Sequence, residues 1–396
     1  MNQNHETVRV LYSFPHRLGA DRICYTAWQQ VNGLASAGAD LSVFPSSVKR
    51  AVPANIKINP TLAWWKFRIP YKLIGSRRAF TLHDFIVSRR IEKLADKIDI
   101  IHTWSQGSLL TLKTAERLGI PTVLERPNAH TRFAYEIVQK ECDRLGIKLP
   151  PDHEHAFNEE ILKIEEAEFD RADYLLCPSD FVVKTYIDRG FAKSRLRRHI
   201  YGYDEKTYFP DSGSKESEHK FTMLFVGVCA VRKGLHYALE AWLDSPAKED
   251  GQFLIAGEFL PAYQQILAPM LAHPSVHVLG HRTDVPQLMR KSDILVLPSI
   301  EEGFGLVCTE AMGSGCVPLV SDACTDLCRH MDNSLVHHAG DVNAIKQHIT
   351  TLYQDRRLLQ TLRTNGLNFA PEITWGAAGI KLLKVYRDVI SEYRNK

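Results

Sequence analysis

The sequence predicts an α/β protein made of two doubly wound parallel sheets that face each other across a cleft. Two successive series of short apolar runs alternating with helical patterns predict it, as does the polar, aperiodic stretch between the series. The length agrees, because 396 residues exceed one ordinary core and suit two domains.

In the first series, Val8–Phe14, Leu41–Phe44, Ile98–His102, Pro121–Leu124 and Asp173–Cys177 are short and apolar enough for buried strands. Helical patterns at Tyr25–Ala37 and Leu109–Leu118 separate some of them. Asp211–Lys220 is polar and without periodicity, and reads as a linker. The second series repeats the scheme with Phe221–Val226, Gln252–Ala256, Val276–Leu279, Ile294–Leu297 and Val317–Val320. The expected division is residues 1–205 and 206–375, with a last helix, Ile380–Tyr393, inside 376–396.

Composition narrows the function. A net charge of +3 gives no electrostatic case for nucleic acid. Met1–Glu6 lacks the basic and apolar regions of a signal peptide, and no apolar run approaches the length of a membrane span. Eight cysteines without a Cys-x-x-Cys pair fit a reduced compartment, so the chain is expected in the cytoplasm. His153-Glu-His155 and His337-His338 lack the third partner of a metal site and read as solvated surface. No P-loop, Gly-x-Ser-x-Gly elbow, zinc signature or Asp-x-Asp occurs, so neither a metal nor a cofactor is expected.

The chemistry concentrates in Glu302-Gly-Phe-Gly-Leu-Val-Cys-Thr-Glu310, between two of the apolar runs. Gly303 and Gly305 let backbone N–H groups approach a ligand, and the helix that follows favours an anion at its start. Glu302 and Glu310 can accept hydroxyl hydrogen bonds on either side. Phosphate between polyols describes a nucleotide sugar. Upstream, Phe225–Trp242 is a strand, a loop bearing Arg232 and Lys233, then a helix, which puts two cations at the ligand-binding edge of the second sheet. Cations fixed there stabilise charge growing on a leaving phosphate.

These segments resemble the E-x7-E and donor-phosphate motifs of the retaining GT-B glycosyltransferases, in particular family 4. Tyr201-Gly-Tyr-Asp204 with Phe209-Pro210, Ala172–Ser179 and Val276–Gly280 extend the resemblance across most of the chain. It implies two Rossmann-like domains, the first binding the acceptor and the second the donor, with the last helix crossing back onto the first. Glu310 is then expected on the ribose, Glu302 on the transferred sugar, and Gly303, Phe304, Gly305, Leu306, Val307, Arg232 and Lys233 on the diphosphate. Arg282 corresponds to a loop beside the nucleobase, and Gly19 to a flexible glycine loop. Relatives place a histidine at the end of the strand where Glu125 and Arg126 stand here, leaving His130 as a catalytic candidate; His102 suits the core and the cleft equally. Val228 stands where an arginine is common, and Arg232 or Arg282 is expected to compensate.

The implied activity is metal-independent transfer, with retention, of a sugar from a UDP- or GDP-linked donor to a saccharide or lipid-linked acceptor in surface polysaccharide or glycoconjugate synthesis. Front-face substitution needs no protein nucleophile. Residues 64–90 mix seven Lys/Arg with aromatics and one Asp, which suits peripheral contact with the inner face of an anionic membrane as well as an irregular packed insertion. A nucleotide-sugar epimerase or a phosphorylase of the same architecture, and a non-catalytic sugar-nucleotide-binding protein, remain alternatives.

Overall fold

Apolar runs of four to five residues become parallel strands, because only a layer buried on both faces accepts them. The computed structural model describes residues 7–64, 67–69, 74–211 and 220–395. The first sheet holds β1 (Arg9–Leu18), β2 (Asp40–Val48), β3 (Lys57–Ile58), β6 (Ile100–Trp104), β7 (Thr122–Glu125), β8 (Tyr174–Cys177) and β9 (Leu196–Arg198) in the order β3-β2-β1-β6-β7-β8-β9. Two short strands, β4 (Ala63–Trp64) and β5 (Phe67–Arg68), pair antiparallel beside it. The second sheet holds β10 (Thr222–Val226), β11 (Gln252–Ala256), β12 (Val276–Gly280), β13 (Ile294–Leu297), β14 (Val317–Ser321) and β15 (Leu335–His337) in the order β12-β11-β10-β13-β14-β15. All pairings within the two large sheets are parallel.

In each sheet the first strand of its series lies in the middle, with later strands added on both sides. The order therefore reverses between β1 and β6, and again between β10 and β13. Ligands of open α/β sheets bind outside the strand ends at such reversals. Here those ends carry Trp104 and the loop after β1 in one sheet, and Gly227 and Pro298–Glu302 in the other.

The chain crosses between the sheets at Tyr203 and returns at Thr374, and the two crossings pair as an isolated bridge. A Cβ on Gly202 would stand 2.4 Å from the Trp375 nitrogen, so the crossings need glycine there. The returning helix Trp375–Arg394 contributes Leu382, Leu383, Tyr386, Val389 and Ile390 to the core beneath the first sheet. Gly33 of helix Ile23–Ser36 meets Gly379 so closely that a Cβ on Gly379 would lie 2.3 Å from the Gly33 backbone. The crossing back implied by the resemblance is what the structure has.

A buried carboxylate joins these parts. Glu125, at the end of β7, accepts from Gln30 (2.9 Å) and Tyr201 (2.7 Å) and lies 2.8 Å from His199 Nε2. His102 is a core residue, 2.6 Å from the Tyr386 hydroxyl and 3.4 Å from Glu125. Burial opposes ionisation of Glu125, but His199 and the other donors outweigh it and hold its carboxyl below the usual range.

Two expectations fall partly outside the described residues: the linker 211–220, of which 212–219 are not described, and the basic aromatic segment 64–90, which lacks 65–66 and 70–73. Most of the latter is the helix Ser76–Leu94.

Candidate active site

Arg232 and Lys233 are placed by glycine. After β10 the chain makes a short 3-10 turn, Val231–Lys233, ended by Gly234 at φ +65°. A Cβ on Gly234 would come within 2.1 Å of the Pro298 carbonyl, so only glycine lets this turn lie against the chain leaving β13. The Ile300 N–H donates to the Arg232 carbonyl at 2.9 Å and fixes the register of the two loops. Arg232 and Lys233 thereby meet Glu301 and Glu302.

Lys233 Nζ donates to Glu302 Oε2. Arg232 Nη1 lies 3.5 Å from carboxylate oxygens of both Glu301 and Glu302, and donates to the Glu301 carbonyl at 3.2 Å. Burial would raise Glu302, but Lys233 and Arg232 prevail and its carboxyl is held at about 2. Burial likewise disfavours charge on Arg232, yet Glu302, Glu301 and Glu154 keep it firmly protonated.

The turn after Glu302 is equally constrained. A Cβ on Gly303 would stand 1.6 Å from the Pro127 carbonyl of the first domain, and Ser179 donates to the Gly303 carbonyl at 2.7 Å. Gly305 takes φ +74° at the N-cap of helix Leu306–Gly313, where no side chain caps the first amides. Glu310, on that helix, is buried beside Tyr208. Burial raises it to about 7, the hydrogen bond from Tyr208 opposing the shift only in part.

A cleft of about 870 Å³ runs between the sheets and gathers these groups. Arg232, Lys233, Glu302, Phe304, Gly305, Leu306, Val307 and Glu310 all line it, with Gly303 in the same turn. Val228, half-exposed, lines it too, so no arginine stands there. Across from them the first domain presents His16, Arg22, Arg50, Trp104, Gln106 and Asn128.

Three expected residues are not brought to the cleft lining. His130 is the N-cap of helix Thr131–Leu145, its ring accepting from the Arg132 N–H at 3.2 Å and packed against Phe169, Tyr186 and Phe191. Burial and then Arg126 lower it to about 3. Arg282 is exposed and paired to Asp284 at 2.5 Å. Gly19 has the expected positive φ, +76°, but its amide donates to the Cys24 carbonyl at 3.0 Å and is not free for a phosphate. Of the two residues expected to compensate for Val228, Arg282 lies outside the cleft lining and Arg232 lies within it.

The surface reading of His153-Glu-His155 is corrected. These residues lie on a first-domain loop before helix Glu159–Arg171 and reach into the cleft. His155 is buried, with Nε2 3.3 Å from Glu301, and Glu154 Oε1 lies 3.8 Å from Arg232. His337 is buried as well, whereas His338 is exposed and pairs with Asp322 at 2.6 Å. Arg126 was also not foreseen as a cleft group: it is buried, bonded to Ser105 and Tyr186, and 3.4 Å from Glu165. Among the described residues no group of three His, Cys, Asp or Glu is arranged to hold a metal ion.

Comparison with known proteins agrees with this geometry. The model described as Glycosyltransferase Family 4 matches residues 25–201, and that described as Glycosyl transferases group 1 matches 220–355. The chain belongs to the GT-B group 1 glycosyltransferases. The fold of this glycosyltransferase-family chain is also that of sucrose-phosphate synthase from Thermosynechococcus elongatus, with a TM-score of 0.68 at 18% identity over 98% of this chain and 100% of that one. An uncharacterized glycosyltransferase of Methanocaldococcus jannaschii is 26% identical over 226 residues, 55% of this chain and 60% of the relative. The N,N'-diacetylbacillosaminyl-diphospho-undecaprenol alpha-1,3-N-acetylgalactosaminyltransferase of Campylobacter jejuni is 30% identical over 118 residues, 29% of this chain and 31% of the relative. The chain thus spans at most 60% of the length of these two curated relatives.

Proposed function

We propose that this chain is a retaining glycosyltransferase that takes a sugar from a nucleoside-diphosphate donor, UDP- or GDP-linked, and delivers it to a hydroxyl of a saccharide or lipid-linked acceptor. The observation that carries the reading is the convergence of Lys233, Arg232, the Gly303–Val307 turn, Glu302 and Glu310 on one wall of the interdomain cleft. The diphosphate would lie over the cations and the uncapped helix start, where fixed positive charge answers the charge that grows as the glycosidic bond breaks. Once a carboxylate gives way to the diphosphate, the two cations and the helix start would neutralise the leaving group without a metal ion. Glu310 would accept from ribose hydroxyls, and Glu302 from hydroxyls of the sugar.

The acceptor would enter along Trp104, Gln106 and Asn128 on the opposite wall, with its hydroxyl attacking from the face the diphosphate leaves. The acceptor oxygen is itself the nucleophile, and the leaving phosphate takes its proton, so the protein need supply neither a nucleophile nor a general base. A lipid-linked acceptor is supported by the diphospho-undecaprenol acceptor named for the Campylobacter jejuni relative and by helix Ser76–Leu94. Phe80 of that helix stacks edge-on with cleft-lining His16, and its outer face exposes Leu82 and Phe85 between Arg78 and Arg89. Such a face would rest on an anionic membrane while the acceptor head enters the cleft.

Product stereochemistry tests the reaction. With the donor that is turned over, the anomeric proton coupling in the product should match that of the donor. An inverted product would contradict front-face substitution.

A further inference from the structure

At the head of the cleft two cations face three carboxylates. Lys233 is taken by Glu302, while Arg232 lies 3.5 Å from Glu301, 3.5 Å from Glu302 and 3.8 Å from Glu154. A doubly charged diphosphate arriving here meets cations whose charge is already answered, so at least one carboxylate has to withdraw. Glu302 is buried against Lys233, and Glu301, whose side chain is 1% exposed, is also held by His155 at 3.3 Å and the Ala129 amide at 3.4 Å. Moving either would strand a buried charge. Glu154 differs: its side chain is 63% exposed, its contact with Arg232 is the longest of the three, and it comes from the first domain. It can turn into water at little cost.

We propose that Glu154 is an internal stand-in for the donor phosphate, holding Arg232 until a diphosphate displaces it. The proposal rests on the donor reading above and adds a specificity residue to it. Because His155, the next residue, stays on Glu301, the loop keeps its place while the Glu154 side chain leaves. A ligand without phosphate has nothing with which to compete for Arg232, so Glu154 sets how strongly the site takes phosphate in particular.

Calorimetric titration of the full chain and of Glu154→Gln with UDP, GDP, uridine and guanosine tests this. The variant should bind the preferred diphosphate roughly two- to five-fold tighter at low salt. The gain should shrink at high salt, and nucleoside binding should not change. Equal or weaker diphosphate binding by Glu154→Gln would overturn the stand-in and leave the donor reading intact. An equal gain for the bare nucleoside would also overturn it, since it would report a loosened cleft. Binding of no diphosphate by either protein would overturn the donor reading, and the stand-in with it.

Discussion

Glu302 and Glu310 stand eight positions apart, and their surroundings drive them in opposite directions. Lys233 and Arg232 overcome burial at Glu302 and keep it ionised down to about 2, whereas Glu310 has no cation and rises to about 7. The proposed ribose contact follows that difference. As an ionised carboxylate Glu310 accepts hydrogen bonds from two hydroxyls, and charged acceptors bind hydroxyls more strongly than neutral ones. Affinity for the preferred nucleotide sugar, whose diphosphate carries no proton that titrates in this range, should therefore rise from pH 6 to pH 8, on the order of tenfold, and the rise should vanish in Glu310→Gln. The stability sign is opposite. A carboxyl raised from 4.5 to about 7 contributes fully below 4.5 and loses that contribution as pH climbs through about 7. Urea titrations should thus show Glu310→Gln gaining on the parent protein at pH 8 relative to pH 5. The sequence placed these two glutamates and the Arg232–Lys233 pair at the cleft because each sits within a few residues of a glycine turn. His155 was not legible there, since its partner Glu301 is 146 positions away in sequence and a loop histidine carries no periodicity. The position of His130 away from the cleft lining was not legible for a similar reason: its place as an N-cap depends on a helix start and on Phe169 and Tyr186 behind it.

Elements were legible where burial imposed a pattern. All ten expected strands appear, within a few residues at their ends, because nearly all are apolar runs buried within a sheet, the half-exposed edge strand Val276–Gly280 being the exception. The edge strands β3, β9 and β15 hold two or three residues each, too short for an alternating or apolar run to stand out. Helix Ser76–Leu94 was read only as part of a basic aromatic insertion. Arg78 and Arg89 lie with Leu82 and Phe85 on the face away from Ala79, His83, Val87 and Ile91, and that face makes the membrane proposal testable. Arg89 is also paired to Glu92 at 2.8 Å, and Arg78 and Arg89 are the two levers on that face. Each contributes about 1 kcal/mol near an anionic surface, so Arg78→Glu with Arg89→Glu should cut sedimentation with phosphatidylglycerol vesicles by well over tenfold. Neutral vesicles should bind neither protein. Undiminished binding by the double variant would place the membrane contact elsewhere or nowhere.

At the scale of the whole molecule, the cleft is held by contacts that neither half encodes alone. Arg198 grips both carboxylate oxygens of Asp326 at 2.7 and 2.8 Å, Ser179 holds the Gly303 carbonyl, and Glu141 lies 2.8 Å from His236 and accepts from Tyr237 at 2.7 Å. These contacts bring Pro127 over Gly303 and the His153–His155 loop over Arg232, and so they build the first-domain wall of the site. The two-sheet architecture could be read from the order of the elements. The docking could not, because its partners belong to different series and lie on unrelated elements, the strand of Arg198, the helices of Glu141 and His236, and the loops of Gly303 and Asp326. The central claim is that this cleft takes a nucleoside diphosphate through Lys233 and Glu310. Thermal unfolding of the full chain in EDTA with UDP, GDP or ADP tests it most directly, since a ligand at a hundred times its dissociation constant adds about 2.7 kcal/mol of stability. One diphosphate should raise the midpoint by several degrees, and Lys233→Ala and Glu310→Ala should each abolish the rise. No rise with any of the three, or a rise that survives both substitutions, would contradict the assignment.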